Sequence, residues 1–280
     1  RSKVCRYRKG MGIKMTFEQL CELLQLPSEV TESLKNDNNV EKIVSDETIR
    51  NELNRRDSWD SAICEIRKRI GDDPSGFHIL NVLLHCACDT WKHYQEKSIH
   101  DSVFADTMKF CTRFLYEHKK TYGYYAFTWA WWFPRQLAMQ EFRIGELEYE
   151  LIPSDSKRIY IHIPSDACME PSAIQASFHS FREFLNKYFP DWSGTDWYCE
   201  SWMLSPALSE LLPEHSNLIH FQKMFDLVSV DYESMAVLDW VFPGETPELD
   251  KLSENTTLQR NLKKFLLSGK KFGWAEGKLC

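Results

Sequence analysis

Gly123 divides this chain into two stretches whose apolar residues repeat with different periods, and one kind of secondary structure cannot bury both. Ahead of it, apolar residues recur every three or four positions, as in Trp59, Ile63, Ile66 and Ile70, the spacing that lines one face of a helix. Behind it they alternate. Leu147, Tyr149 and Leu151 interleave with Glu146, Glu148 and Glu150, and Ile159, Ile161 and Ile163 with Tyr160 and His162, as strands with two unlike faces require. The expected class is α+β: an all-helical N-terminal domain over 15–123, then an α/β domain with a mixed, mostly antiparallel sheet over 124–280. Residues 1–14 read as a disordered or extraneous extension, with Met11 or Met15 as the natural start. With 280 residues, 43% of them hydrophobic, the chain sits at the length where one core gives way to two.

In the helical part, Thr16 with Gln19 forms a capping box, Leu20, Leu23 and Leu24 make a stripe, and Pro27 ends the run. The helix after Ser58 ends at Gly71, and longer helices are predicted over 75–97 and 101–122, the second closed by Gly123. His78, His85 and His93 fall at roughly helical spacing, but no carboxylate set accompanies them, so they read as structural histidines. Residues 124–134 then pack seven aromatics into eleven positions, read as inter-domain core in preference to the wall of an acyl pocket.

The second half predicts a strand over 141–152 with Gly145 as a bulge or turn, a turn at 153–156, and a strand over 158–164. A helix follows over 171–188, with Pro171 in its first turn and Pro190 beyond its end. A buried strand over 196–204, a short helix over 206–212, strands within 217–230 and 235–242, the first with an ambiguous helical start, and a closing helix over 246–267 complete the order.

Composition narrows the function. Acidic residues number 41 against 34 basic ones, a net charge of -7, which offers no footprint for a nucleic-acid backbone. The longest apolar runs, 79–84 and 124–133, fall short of the roughly 20 residues that span a bilayer, so no membrane role is expected. Nine scattered cysteines suit reduced thiols and a cytoplasmic protein. Neither a C-x-x-C nor an H-E-x-x-H motif occurs, and no metal is expected.

Four stretches carry a resemblance: Phe142-Arg143-Ile144-Gly145-Glu146-Leu147-Glu148-Tyr149-Glu150, His162-Ile163-Pro164, Cys199-Glu200-Ser201-Trp202-Met203-Leu204-Ser205-Pro206 and Ser216-Asn217-Leu218-Ile219-His220-Phe221. With the order of elements, they resemble a bacterial two-domain acyltransferase family that joins a helical N-acyltransferase N-terminal domain to a GNAT-like C-terminal domain. The resemblance implies acetyl-CoA or a longer acyl-CoA as co-substrate, a small-molecule acceptor with an amine or hydroxyl, and room for a homodimer. It also implies that pantetheine pairs with the strand at 158–164, at Ile161 and Ile163, that pyrophosphate rests on the turn from Ser165 to Ala173, and that the strand reaching Ser205 is the splayed partner. That turn departs from the superfamily pattern, for it has no glycine and carries Asp166 and Glu170, which would repel a pyrophosphate.

Acyl transfer needs a base, and His162 at the end of the proposed cofactor strand is the first candidate, with a hydrogen-bonded structural histidine as the equal alternative. Cys199 and Ser201 are the other catalytic candidates. Cys199 would need a histidine to activate it, which His162 supplies if the two strands are neighbours. Glu148, Trp202 and Asn217 are candidate substrate contacts, although the glutamates also suit a solvated sheet face and Asn217 a helix cap. The leading expectation is an acyl-CoA-dependent N-acyltransferase. A catalytically inactive binding protein of the same shape, or a cysteine enzyme built on Cys199, stands as the alternative.

Overall fold

The computed structural model describes residues 14–37 and 39–280, so all but the last residue of the extension expected over 1–14 lies outside the described residues. The first half is helical: α1 (Phe17–Leu24), α2 (Ser28–Lys35), α3 (Glu41–Val44), α4 (Glu47–Leu53), α5 (Trp59–Ile70), α6 (Phe77–Glu96), α7 (Asp101–Met108), α8 (Phe110–Tyr122) and α9 (Pro134–Leu137). The capping box forms as expected, Thr16 and Gln19 each accepting from the other's amide, at 3.2 and 3.0 Å. Helices α2 to α4 have no counterpart in the sequence reading, because each carries only one or two buried apolar anchors, such as Ile43 or Ile49 and Leu53, too few to display a period. The single helix expected over 101–122 is two, joined at Lys109.

Helix α6 begins at Gly76 with φ of 67°, where a Cβ would stand 2.0 Å from the Phe127 carbonyl oxygen, so only glycine fits. The Phe127 amide donates to the Ser75 carbonyl at 2.8 Å, and the aromatic segment is thereby tied to the start of α6. That segment is core in part: Phe127 and Phe133 are buried, whereas Tyr124 and Trp131 are exposed.

The second half holds β1 (Glu141–Ile144), β2 (Leu147–Ile152), β3 (Arg158–His162), α10 (Pro171–Tyr188), β4 (Trp197–Ser201), α11 (Leu208–Leu211), α12 (Asn217–Gln222), β5 (Phe225–Asp231), α13 (Val237–Val241), α14 (Thr257–Leu267) and β6 (Trp274–Leu279). They build one sheet in the order β1-β2-β3-β4-β6-β5. Its pairs are antiparallel except β3 with β4, whose parallel pairing requires the crossover through α10. Three readings are corrected. The strand expected over 141–152 is a hairpin turned at Gly145 and Glu146, which takes Glu146 off the strand face. Residues 237–241 are helical, whereas the ambiguous start of the stretch 217–230 is a helix over 217–222 ahead of β5. The closing helix starts at Thr257 behind a Thr256–Gln259 capping box instead of near Thr246. Strand β6 was missed because its inward residues are Ala275 and Gly277, too small to register as alternation.

The sheet is covered on both faces. Phe142, Tyr149, Ile159, Ile161 and Trp197 face α10, where Tyr149 stacks on Phe181 with ring centroids 3.8 Å apart. The other face of β1 to β3, with its glutamates, lies under the helical half. One core runs from α1 through α6 to β4, and a second, smaller one gathers Leu208, Val237, Leu262 and Phe272.

Candidate active site

The sheet opens between its two parallel strands. Pairing of β3 with β4 ends at Ile161 opposite Cys199; beyond it β3 runs into Pro164, while β4 bends after Ser201 into the turn Trp202–Leu204. His162 is the first residue past the last pair, on the face under the helical half.

Around His162 the strands place three buried carboxylates, since Glu141 opposes Glu150 and Glu148 opposes His162. Buried carboxylates need partners, and the helical half provides them. Glu150 accepts from Arg56 Nη2 at 2.6 Å and Arg135 Nε at 3.1 Å, while its other oxygen meets His162 Nε2 at 3.0 Å. Glu148 takes Arg113 in a two-point contact at 2.7 and 3.3 Å. Glu141 has only neutral donors, Trp132 Nε1 at 3.0 Å and Gln136 Nε2 at 2.6 Å. The Trp132 ring stands edge-on to His162 at 4.9 Å and carries the Arg135 guanidinium 3.9 Å from its centroid.

These surroundings set the protonation. Burial opposes the charge on Glu150, but the His162 bond and the charges of His162, Arg135 and Arg56 outweigh it and hold the carboxyl down at about 2. Desolvation pushes Glu141 up to about 8, with Glu148 and Glu150 adding to the rise. Desolvation also works against the His162 imidazolium, yet the Glu150 bond and the charges of Glu141, Glu150 and Glu148 raise its pKa above the ordinary value. The three groups titrate as a set. One donor atom from each of Glu141, Glu150 and His162 lies within 4.8 Å of the others, a spacing a metal ion accepts. Both carboxylates already bind protein donors, so the trio fits a proton network.

The other predicted residues are scattered. Cys199 pairs directly with Ile161 and so shares its face; β3 and β4 are neighbours as expected, but His162 points to the opposite side and no Cys–His pair forms. Cys199 is fully buried, and desolvation pushes its thiol pKa up, away from nucleophilic thiolate. Ser201 sits at the opening with its hydroxyl accepting from the Met203 amide at 3.1 Å. Ser205 is fully buried and donates to the Phe272 carbonyl at 2.5 Å. Trp202 belongs to the second core, and Glu148 is spent on Arg113. His78 bonds Asp37, His85 stacks on Phe17 and His93 bonds Glu96, so the three share no site.

In the turn from Ser165 to Ala173 both acidic side chains are engaged. Asp166 bonds Arg143 at 2.7 Å with Arg113 at 3.8 Å, and Glu170 accepts from Asn217 at 2.9 Å. Ser165 donates to Glu117. Pro171 has no amide hydrogen, and the Ala173 and Ile174 amides both bond the Glu170 carbonyl, at 2.9 and 3.1 Å, which leaves Ser172 to donate from the first turn of α10.

Arg56, Arg113, Arg135, Trp132, Gln136 and Glu141 were not singled out from sequence. The signal available was Glu148 and Glu150 themselves, which demand cations once their face is covered instead of solvated.

A helical half lying on one face of a mixed sheet, and a sheet opened beside its crossover helix, define the class of two-domain acyltransferases. The chain belongs to that family: residues 15–139 match the N-acyltransferase N-terminal domain and residues 141–279 the GNAT-like C-terminal domain. Among solved structures, an acyltransferase in complex with decanoyl-CoA and teicoplanin is similar at a TM-score of 0.78 and 21% identity, over 94% of this chain and 86% of that one. An acyltransferase in complex with CoA and 10C-teicoplanin is similar at 0.78 and 20% identity, over 98% of this chain and 90% of that one. A mutant acyltransferase in complex with octanoyl-CoA gives 0.78 and 20%, over 94% and 86%. No curated protein matches the sequence. Among the described residues no helix is long and apolar enough to cross a membrane.

Proposed function

We propose that this chain is a cytoplasmic enzyme that transfers an acyl group from acyl-CoA to the amine or hydroxyl of a small-molecule acceptor, with His162 as general base. The observation that carries it is His162 at the opening between β3 and β4, half-buried, bonded to Glu150 and tuned by charges from both halves. As the acceptor nitrogen or oxygen bonds to the thioester carbonyl carbon, His162 takes its proton; the C–S bond then breaks and the imidazolium returns the proton to the departing thiolate. No covalent enzyme intermediate is needed, in keeping with the buried Cys199.

Four further observations support the reading. Similarly folded acyltransferases are seen with decanoyl-CoA, octanoyl-CoA and teicoplanin, which favours an acyl-CoA donor and a small-molecule acceptor here. Of the two turn carboxylates that would repel a pyrophosphate, Asp166 is paired with Arg143 and Arg113. Trp132, edge-on to His162, meets the stacked Trp129 and Trp131, and Trp129 reaches Trp240; with Trp131 and Trp240 43% and 45% exposed, they form an apolar wall that suits an acyl chain longer than acetyl. The described cysteines are all free, as a reducing compartment requires.

Calorimetry with CoA, acetyl-CoA and decanoyl-CoA, followed by thiol release in the presence of amine acceptors, tests the proposal. Binding that strengthens with chain length, retained in His162→Ala while turnover is lost, is expected; absence of binding to every one of them overturns it.

A further inference from the structure

We propose that Glu150 is a positioning residue that holds His162 by its Nε2–H, so that Nδ1 is the nitrogen that takes the acceptor's proton. The inference rests on the reading of His162 as general base, but the geometry behind it is independent of any cofactor.

An ionised carboxylate only accepts hydrogen bonds, so the imidazole nitrogen 3.0 Å from Glu150 Oε2 carries the hydrogen. Glu150 is kept ionised by its other contacts, Arg56 Nη2 at 2.6 Å and Arg135 Nε at 3.1 Å. In the neutral ring the lone pair is then on Nδ1. Nδ1 has no hydrogen-bond partner among the described residues, and it is not one of the orphaned buried polar atoms, so it reaches solvent; the His162 side chain is 25% exposed. The arrangement is the mirror of a triad in which a carboxylate holds Nδ1 and Nε2 does the chemistry.

The groups facing the ring come from every element packed on it. Glu141 lies on β1, Glu148 and Glu150 on β2, Arg113 on α8 behind Glu148, Arg135 on α9, Arg56 on the turn Arg56–Ser58, and Trp132 beside α9. Glu150 is thus the link between the base and the helical half, whose two arginines decide how much negative charge His162 feels. That gives the N-terminal domain a part in the chemistry beyond support. In the transfer itself, Nδ1 gains the proton as the acceptor's new bond to carbon forms and gives it to the CoA thiolate as the C–S bond breaks, and Nε2–H stays on Glu150 throughout.

Nitrogen-15 NMR of histidine-labelled protein tests this without turnover. The expected result is an Nε2–H tautomer for neutral His162 in the unliganded wild-type chain. Glu150→Gln, whose amide also donates, should move the hydrogen to Nδ1, lower the His162 pKa and reduce kcat by roughly 10²- to 10⁴-fold. Its KM for acyl-CoA should change by less than about threefold, since no uniform binding contact is lost. Glu150→Asp should restore part of kcat. Arg135→Gln leaves the Glu150–His162 contact in place and should raise the His162 pKa, which keeps the test open if Glu150→Gln does not fold. An Nδ1–H tautomer in the wild type, or a His162 titration unmoved in both variants, overturns the proposal. If the tautomer is Nε2–H but no acyl-CoA turns over with His162 intact, the acyltransferase reading fails and the positioning of the ring stands.

Discussion

Glu141 and Glu150 are direct partners across the β1–β2 ladder, and the protein treats them oppositely. Glu150 receives Arg56, Arg135 and His162, whereas Glu141 receives the neutral donors Trp132 and Gln136. Two carboxylates this close do not ionise alike, and the environment decides which one keeps its proton.

Glu141 therefore makes stability depend on pH. Its folded pKa, about 8, lies above its ordinary value of 4.5, so between those limits the folded state holds a proton that the unfolded chain has released. Stability from this group falls as pH rises through that window, and the cost is fully present above it. Glu141→Gln has no proton to lose, so the melting temperature of the variant minus that of the wild type should climb steadily from about pH 5 to about pH 8. A difference that stays flat would mean Glu141 is ionised in the folded protein.

Arg113 is the partner whose loss should be felt most. Its side chain is 10% exposed and that of Glu148 7%, so Arg113→Met leaves a buried carboxylate without its cation, at a cost of about 3–5 kcal/mol in denaturant unfolding. Adding Glu148→Leu should recover much of that loss, because a buried pair replaced by apolar groups is close to neutral. If the double variant is no more stable than the single one, the cost lies elsewhere, in the contact of Arg113 with Asp166.

How far the sequence revealed this depended on how many residues carried each signal. Long helices and the alternating strands were legible because α6 and β3 display their periods over enough positions, and capping residues such as Thr16 and Gly123 marked their ends. Strand β6 and helices α2 to α4 were not, since Gly277, Ala275 or a lone Ile43 fills an inward position without announcing it. His162 could be named from its place at a strand end. Its partners could not, because Arg56 and Arg135 are 106 and 27 residues away along the chain and meet Glu150 only when the helical half lies on the sheet.

Gly76 joins the two halves of the site. An alanine there would be held at φ of 67° with its Cβ 2.0 Å from the Phe127 carbonyl oxygen, so Gly76→Ala should cost more than the roughly 1–2 kcal/mol of left-handed strain alone. The neighbour is backbone and must move, and with it the segment that carries Trp132 and Arg135. Urea unfolding should show the lower midpoint with an unchanged slope, and turnover measured well below the midpoint should fall as well. Full activity in a destabilised variant would separate the aromatic segment from the site.

The turn before α10 is where the family resemblance puts the pyrophosphate, and on that placement Glu170 should set stability against cofactor affinity. Glu170 caps α10 from an exposed position, where its charge favours the helix by a few tenths of a kcal/mol to about 1 kcal/mol. Its side chain is held only by Asn217, a neutral donor, so the charge faces any pyrophosphate that rests on this turn. At about 8 Å in water each phosphate charge would be repelled by roughly 0.5 kcal/mol, and two of them by about 1 kcal/mol, a change of about fivefold in Kd. Glu170→Gln should therefore bind CoA more tightly at low salt while melting slightly earlier, and the gain should shrink as salt screens the charges. Asp166→Asn is the contrast: Arg143 holds the Asp166 carboxylate at 2.7 Å, so the substitution loosens the turn as it removes the charge, and no comparable gain is expected. Calorimetric titration of both variants with CoA at low and high salt decides the matter. Equal affinity in Glu170→Gln and wild type at low salt would place the pyrophosphate away from the start of α10.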